Sequence, residues 1–174
     1  MYKKLLLLST IFIIGGCSLK ENSNIAQLFK KDDIYHISLL NTQKAQLIAS
    51  LETKALLTAT YLNPVYEHDK GRNFSMDVSD GEYFFIGVFI SGSKKHHFNA
   101  KGYSLTLNGA KAIEVKKLKK DDPLRYEMPM VDNWSTYYRV KFPMSDLKTF
   151  NLIFESDRFG KDKLTFVKEE KVSF

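Results

Sequence analysis

The chain has 174 residues, a formal net charge of +6 and one cysteine. That length suits one ordinary domain, and a lone thiol excludes a disulfide framework within the chain. The overall charge is modest for a nucleic-acid binder, which concentrates positive charge in a stripe, and no nucleic-acid partner is expected.

In chain order, Tyr2-Lys3-Lys4 gives a short positive start. Leu5 through Ile14 follows as an apolar stretch broken only by Ser9 and Thr10. It is too short to cross a bilayer as a helix, which takes about 20 apolar residues. A positive start, a short apolar core and small residues at the boundary read as an export signal over residues 1–16. Ile14-Gly15-Gly16-Cys17 closes it. These four residues resemble the lipobox of bacterial lipoproteins. The resemblance implies cleavage after Gly16, a diacylglyceryl thioether on Cys17 and acylation of the new amine by a fatty acid such as palmitate. A multiply acylated cysteine stays in the membrane, whereas one chain holds only marginally. Ser18 is not acidic, which in Gram-negative lipoproteins resembles the signal for the outer membrane. Whether the domain would face the periplasm or the medium stays open.

Residues 17–32 are mostly polar and read as the lipidated N-terminus and a flexible tether. Residues 33–174 read as one domain. From Asp33 onward the dominant signal is alternation, the mark of half-buried strands. Gln43–Leu51 admits two readings. Leu47, Ile48 and Leu51 share a helical face, while Ala45, Leu47, Ala49 and Leu51 share a strand face, and strand is slightly favoured. Lys54–Leu62 reads as a strand closing in a turn at Asn63-Pro64. Glu82–Ile90 (EYFFIGVFI) is apolar on both faces and reads as a central strand covered on both sides.

Leu105 and Leu107 alternate with Ser104 and Thr106 ahead of Asn108-Gly109, a strong hairpin signal. Pairing Leu105 with Ile113 and Tyr103 with Val115 calls for a bulged or three-residue loop there. Tyr138, Val140 and Phe142 form one face of another strand, and Phe150, Leu152 and Phe154 of the next. The last hairpin is placed on Arg158-Phe159-Gly160 with Gly160 left-handed, so that Phe154 faces Leu164 and Leu152 faces Phe166. Seven to nine short strands without alternating helices imply an all-β antiparallel sandwich or barrel.

Together, the lipobox, the polar tether, the strands KALLTATYLNP, YFFIGVFIS and YYRVKFP, and the final hairpin resemble small Gram-negative lipoproteins with a variant immunoglobulin-like sandwich. The paired cysteines of antibody domains are absent. The resemblance implies adhesion, envelope or partner binding and supplies no catalytic residue.

The residues themselves give no catalytic constellation. Ser79-Asp80-Gly81 and Ser91-Gly92-Ser93 lack the nucleophile-elbow pattern. His36, His68, His96 and His97 lack ligand spacing, so no metal and no cofactor are expected. Two segments are candidate binding surfaces. Lys94-Lys95-His96-His97-Phe98 combines positive charge with aromatic character, and the run Lys116-Lys117-Leu118-Lys119-Lys120 adds more charge. Leu124–Tyr138 carries Tyr126, Trp134 and Tyr137, types enriched at binding hot spots. The expected role is a non-catalytic binding or adhesion module for a protein or glycan, held to the membrane by its lipid anchor. The alternatives are an envelope hydrolase acting on glycan with carboxylates in a groove, and a structural accessory of a periplasmic complex. Oligomeric state is not legible.

Overall fold

The computed structural model describes residues 34–67 and 76–168, so the export signal, Cys17, the tether and His68 lie outside the described residues. Nine strands are found among the described residues: β1 (Thr42–Ala49), β2 (Glu52–Tyr61), β3 (Glu82–Ile90), β4 (Tyr103–Leu107), β5 (Ala110–Lys111), β6 (Glu114–Lys117), β7 (Thr136–Phe142), β8 (Thr149–Ser156) and β9 (Gly160–Val167). They form two antiparallel sheets, ordered β1-β2-β3-β7-β6 and β5-β4-β8-β9. The all-β reading therefore stands.

Alternation decides which residues meet between the sheets. Phe84, Ile86, Val88 and Ile90 of β3 join Tyr138, Val140 and Phe142 of β7, and face Phe150, Leu152 and Phe154 of β8. Aromatic edges interlock there: Tyr61 meets Phe150 at 5.1 Å and Phe84 meets Phe142 at 5.8 Å, both T-shaped. Such pairs contribute about 0.5–1.5 kcal/mol each beyond burial.

The other face of β3 carries Tyr83 and Phe85, which are also buried. A second core covers them, built from three short helices and their loops. These are α1 (residues 34–40), α2 (Asn63–Glu67) and α3 (Pro123–Glu127). Ile34 of α1, Val65 and Tyr66 of α2, and Leu124 of α3 all enter this layer. Period-two reading from Asp33 onward gives way here, because residues 34–40 are helical. Asn41 and Thr42 end that helix: the Asn41 amide donates to Ile37 O at 3.0 Å and the Thr42 hydroxyl to Ser38 O at 2.6 Å. Asn63-Pro64 likewise opens a helical turn. The Asn63 amide donates to Val78 O and Gly81 O, and accepts from Tyr83 N at 2.8 Å.

Within Gln43–Leu51, the residues through Ala49 belong to strand β1 and Ser50-Leu51 form a two-residue turn. At Asn108-Gly109 the expected bulge is absent. Leu107 pairs with Ala110 and Thr106 with Lys111 across a tight turn, with positive φ at both turn residues. After Lys111 the chain crosses to the other sheet, where β6 pairs with β7, so Ile113 and Val115 never meet Leu105 and Tyr103. Leu105 pairs instead with Phe154. In the last hairpin Gly160 is left-handed as expected, with φ 81. It pairs with Ser156, so the turn is Asp157–Phe159 and the partners shift by two: Leu152 faces Leu164 and Phe150 faces Phe166. Face assignment survives this shift because the side-chain period is also two.

One open side of the layered fold is sealed. The Gln43 side chain bonds both the N–H (3.1 Å) and the carbonyl of Thr165, and Gln46 N donates to Asp162 at 2.9 Å. At the end where β3 begins, Glu82 is 0% exposed yet charged-paired. It takes the Tyr61 hydroxyl (2.7 Å), Ser145 N (2.9 Å) and Lys168 Nζ (2.6 Å). This cluster ties the end of β9 to the start of β3. Lys168→Met should therefore leave a buried carboxylate without its ion partner and lower the free energy of unfolding by roughly 3–5 kcal/mol. Urea denaturation checks this, and an unchanged midpoint would contradict it.

Candidate binding surface

The strand registers bring the two candidate segments to one end of the sandwich. Val88, near the end of β3, pairs with Thr136, the first residue of β7. The β3–β4 loop with Lys94 and Lys95 therefore leaves the sheet at the level where the segment carrying Trp134 enters it. The β1–β2 turn lies at this end too, since Ala55 pairs with Ile90. The turn after β8 completes it, since Tyr103, just past the β3–β4 loop, pairs with Ser156.

Charge is unevenly distributed along the chain. Residues 91–120 hold eight lysines and a single acid, Glu114, and Glu114 is paired with Arg139 at 3.0 Å. Lys94, Lys95, Lys116, Lys117, Lys119 and Lys120 are all exposed. The two lysine runs also approach each other. Lys117 sits opposite Tyr138, whose ring lies 5.0 Å from that of His97.

The histidines between these lysines are committed to the loop itself. His96 stacks on Phe89 at 5.0 Å and its Nδ1 accepts from Ile90 N at 2.9 Å. Its carbonyl accepts from the Tyr138 hydroxyl at 2.8 Å. His97 Nδ1 accepts from Asn99 N at 2.9 Å. Phe98 is fully buried in the inter-sheet core and anchors the loop. Among the described residues no group of three or more His, Cys, Asp or Glu is placed to hold a metal ion. Burial, and then Lys117, hold the His97 imidazole below its ordinary value.

In the second segment the structure separates Tyr137 from its neighbours. Tyr137 is 2% exposed and belongs to the layer beneath the surface. It pairs across the sheet with Gly87, stacks on Phe85 at 5.2 Å and lies under the Arg125 guanidinium at 4.6 Å. A Cβ at Gly87 would stand 2.6 Å from the Tyr137 ring, so only glycine leaves room for it. Tyr137 is thus a platform and not a contact residue. Its hydroxyl accepts from Asp132 N at 2.6 Å. Asp132 in turn accepts from Trp134 N (2.9 Å) and from Ser135 N (2.7 Å). Trp134 and Tyr126 are the exposed members, at 74% and 69%, with Met130 and Val131 partly exposed beside them in sequence. In the sequence Asp132 stands only as one of several carboxylates, with no apolar or aromatic signature of its own. An Asp two residues ahead of a Trp in a polar stretch is its only advance signal.

Comparison of the chain with protein-family models, with curated proteins and with solved structures finds no match in any of the three.

Two outcomes follow from this geometry. Tyr137→Phe removes the acceptor of Asp132 N and should cost about 0.5–1.5 kcal/mol. It should also lower the fluorescence anisotropy of Trp134, the chain's single tryptophan; unchanged anisotropy would mean that Tyr137 does not hold the turn. For His97, the folded state disfavours the proton, so the unfolded chain binds it first. Its contribution is present above the ordinary histidine value of about 6.5 and is lost as the pH falls below that value. Urea unfolding across this window should show wild-type stability falling with acid and a shallower slope in His97→Asn. Identical slopes would refute the assignment.

Proposed function

We propose that the chain is an outer-membrane lipoprotein, anchored through Cys17 after cleavage at Gly16. Its immunoglobulin-like domain acts as a non-catalytic binding or adhesion module for a protein or glycan partner. The lipobox supports the anchor. The strand order supports the fold family: β2-β3-β7-β6 facing β9-β8-β4-β5 follows the A-B-E-D and G-F-C-C′ order of immunoglobulin sandwiches, with β1 added at the edge. In that scheme the β3–β4, β6–β7 and β8–β9 connections share one end, the end such domains commonly use for recognition.

The observation that carries the reading is the display of Trp134 on a turn fixed by Asp132 and Tyr137, with Tyr126 exposed on α3 of the same segment. Exposed aromatics cost little further ordering when the backbone beneath them is already held. Lys94 and Lys95 add positive field at the same end. The histidines His96 and His97 shape the loop that presents them.

The test uses the full chain in intact cells. Trp134→Ala should reduce crosslinked recovery of the partner by at least about tenfold, the effect of truncating a hot-spot aromatic. Cys17→Ser should lose palmitate incorporation and detergent-phase partitioning while keeping the wild-type circular dichroism. Unchanged partner recovery in the first variant, or continued palmitate incorporation in the second, would overturn the corresponding half of the proposal.

A further inference from the structure

Among the described residues two hairpins have two-residue turns, and they provide an internal comparison. Asn108-Gly109 has φ 48 and 84, and Ser50-Leu51 has φ 51 and 64. Both turns thus place two successive residues in the left-handed region. Asn-Gly suits that region, whereas a bulky residue there is an outlier. Leu51 is also 101% exposed, so no other part of the described chain covers its side chain. Leu51 is therefore disfavoured twice, by backbone conformation and by contact with water. A strained residue held in place this way points to a role outside the fold.

The surroundings indicate what covers it. Ile48, beside the turn at a bulge of β1, is 54% exposed. Glu52, the acid adjoining Leu51, is paired with Lys54 at 2.5 Å. Ser91 N donates to Lys54 O at 2.9 Å, so the β3–β4 loop starts alongside this hairpin. That loop then presents Lys94 and Lys95, held by mutual bonds between Ser93 and Lys95. The tip carries two exposed aliphatic residues, Leu51 and Ile48, at the end of the fold where the loop bearing Lys94 and Lys95 emerges. A leucine at an apex is poorly matched to the broad, flat contact of a protein interface. A bilayer interface surrounds such a residue from every side, and anionic headgroups complement the lysines.

We propose that the β1–β2 tip docks on an anionic phospholipid surface, with Leu51 and Ile48 entering the interfacial layer and Lys94 and Lys95 meeting headgroup phosphates. This contact shares Lys94 and Lys95 with the end that displays Trp134, but it does not depend on the identity of any protein or glycan partner.

The full chain carrying Leu51→Cys, labelled with an environment-sensitive fluorophore, tests it on phosphatidylcholine vesicles with and without phosphatidylglycerol. Asn108→Cys, at the tip of the opposite end, is the reference position. The position-51 probe should shift to shorter wavelength and be quenched by spin-labelled lipid on the anionic vesicles, and the reference probe should not. Lys94→Glu with Lys95→Glu should abolish the shift. Emission at position 51 matching the reference on anionic vesicles would overturn the proposal. A shift that grows with protein concentration without vesicles would also overturn it, by assigning the tip to a second copy. Co-flotation of the protein with both vesicle types reports the lipid anchor separately, so failure of the anchor and failure of the tip are told apart.

Discussion

Two-sided burial of β3 is the constraint on which the rest of the structure depends. Phe84, Ile86, Val88 and Ile90 point to one side, and Tyr83 and Phe85 to the other. No two-layer arrangement can bury both sets. The first set is met by the four-stranded sheet. The second requires a third layer, and it is made from segments too short to be stable by themselves. Five-residue helices such as α2 and α3 are far below the length at which an isolated helix holds in water. They persist because Val65, Tyr66, Leu124 and Met128 are buried against β3 and β7.

The candidate surface is a product of that third layer. Laying residues 118–135 across the sheet puts Leu118, Leu124 and Met128 inward. It leaves Tyr126, Met130, Val131 and Trp134 outward. Gly87 and Tyr137 fit one another at the centre, and the Tyr137 hydroxyl fixes the turn that displays Trp134. Core packing and surface presentation are thus linked through one side chain. The positive charge gathered in residues 91–120 reaches the same end by a different route, through the β3–β4 loop pinned by Phe98 and His96.

Strand identity was legible wherever one face was apolar and the other polar, as in β4, β7 and β8. β3 was legible for the opposite reason, since unbroken apolarity implied cover on both sides. The nature of that cover was not legible. α1, α2 and α3 are each shorter than the window in which helical periodicity can be seen. Hairpin partners were less legible than hairpin positions. At Asn108-Gly109 the expectation assumed that both flanking strands stay in one sheet, but the chain leaves after two residues. At Gly160 the left-handed residue was found but counted into the turn instead of the strand. Tyr137 misled because tyrosine signals interfaces and cores alike, and its strand neighbours on the buried inner face, Tyr138 and Val140, say nothing about the outer face. Leu51 was read as a core candidate on either helix or strand pattern, yet it stands at the apex of a turn.

The central claim is that the outer layer folds as one unit with β3 and holds the Trp134 turn in place. Native-state hydrogen exchange tests it most directly. The backbone amides of Asp132, Trp134 and Ser135 should be strongly protected, and should open together with the outer-face cover of β3 as denaturant is raised towards global unfolding. Exchange of these three amides at free-chain rates, with β3 still protected, would contradict the account.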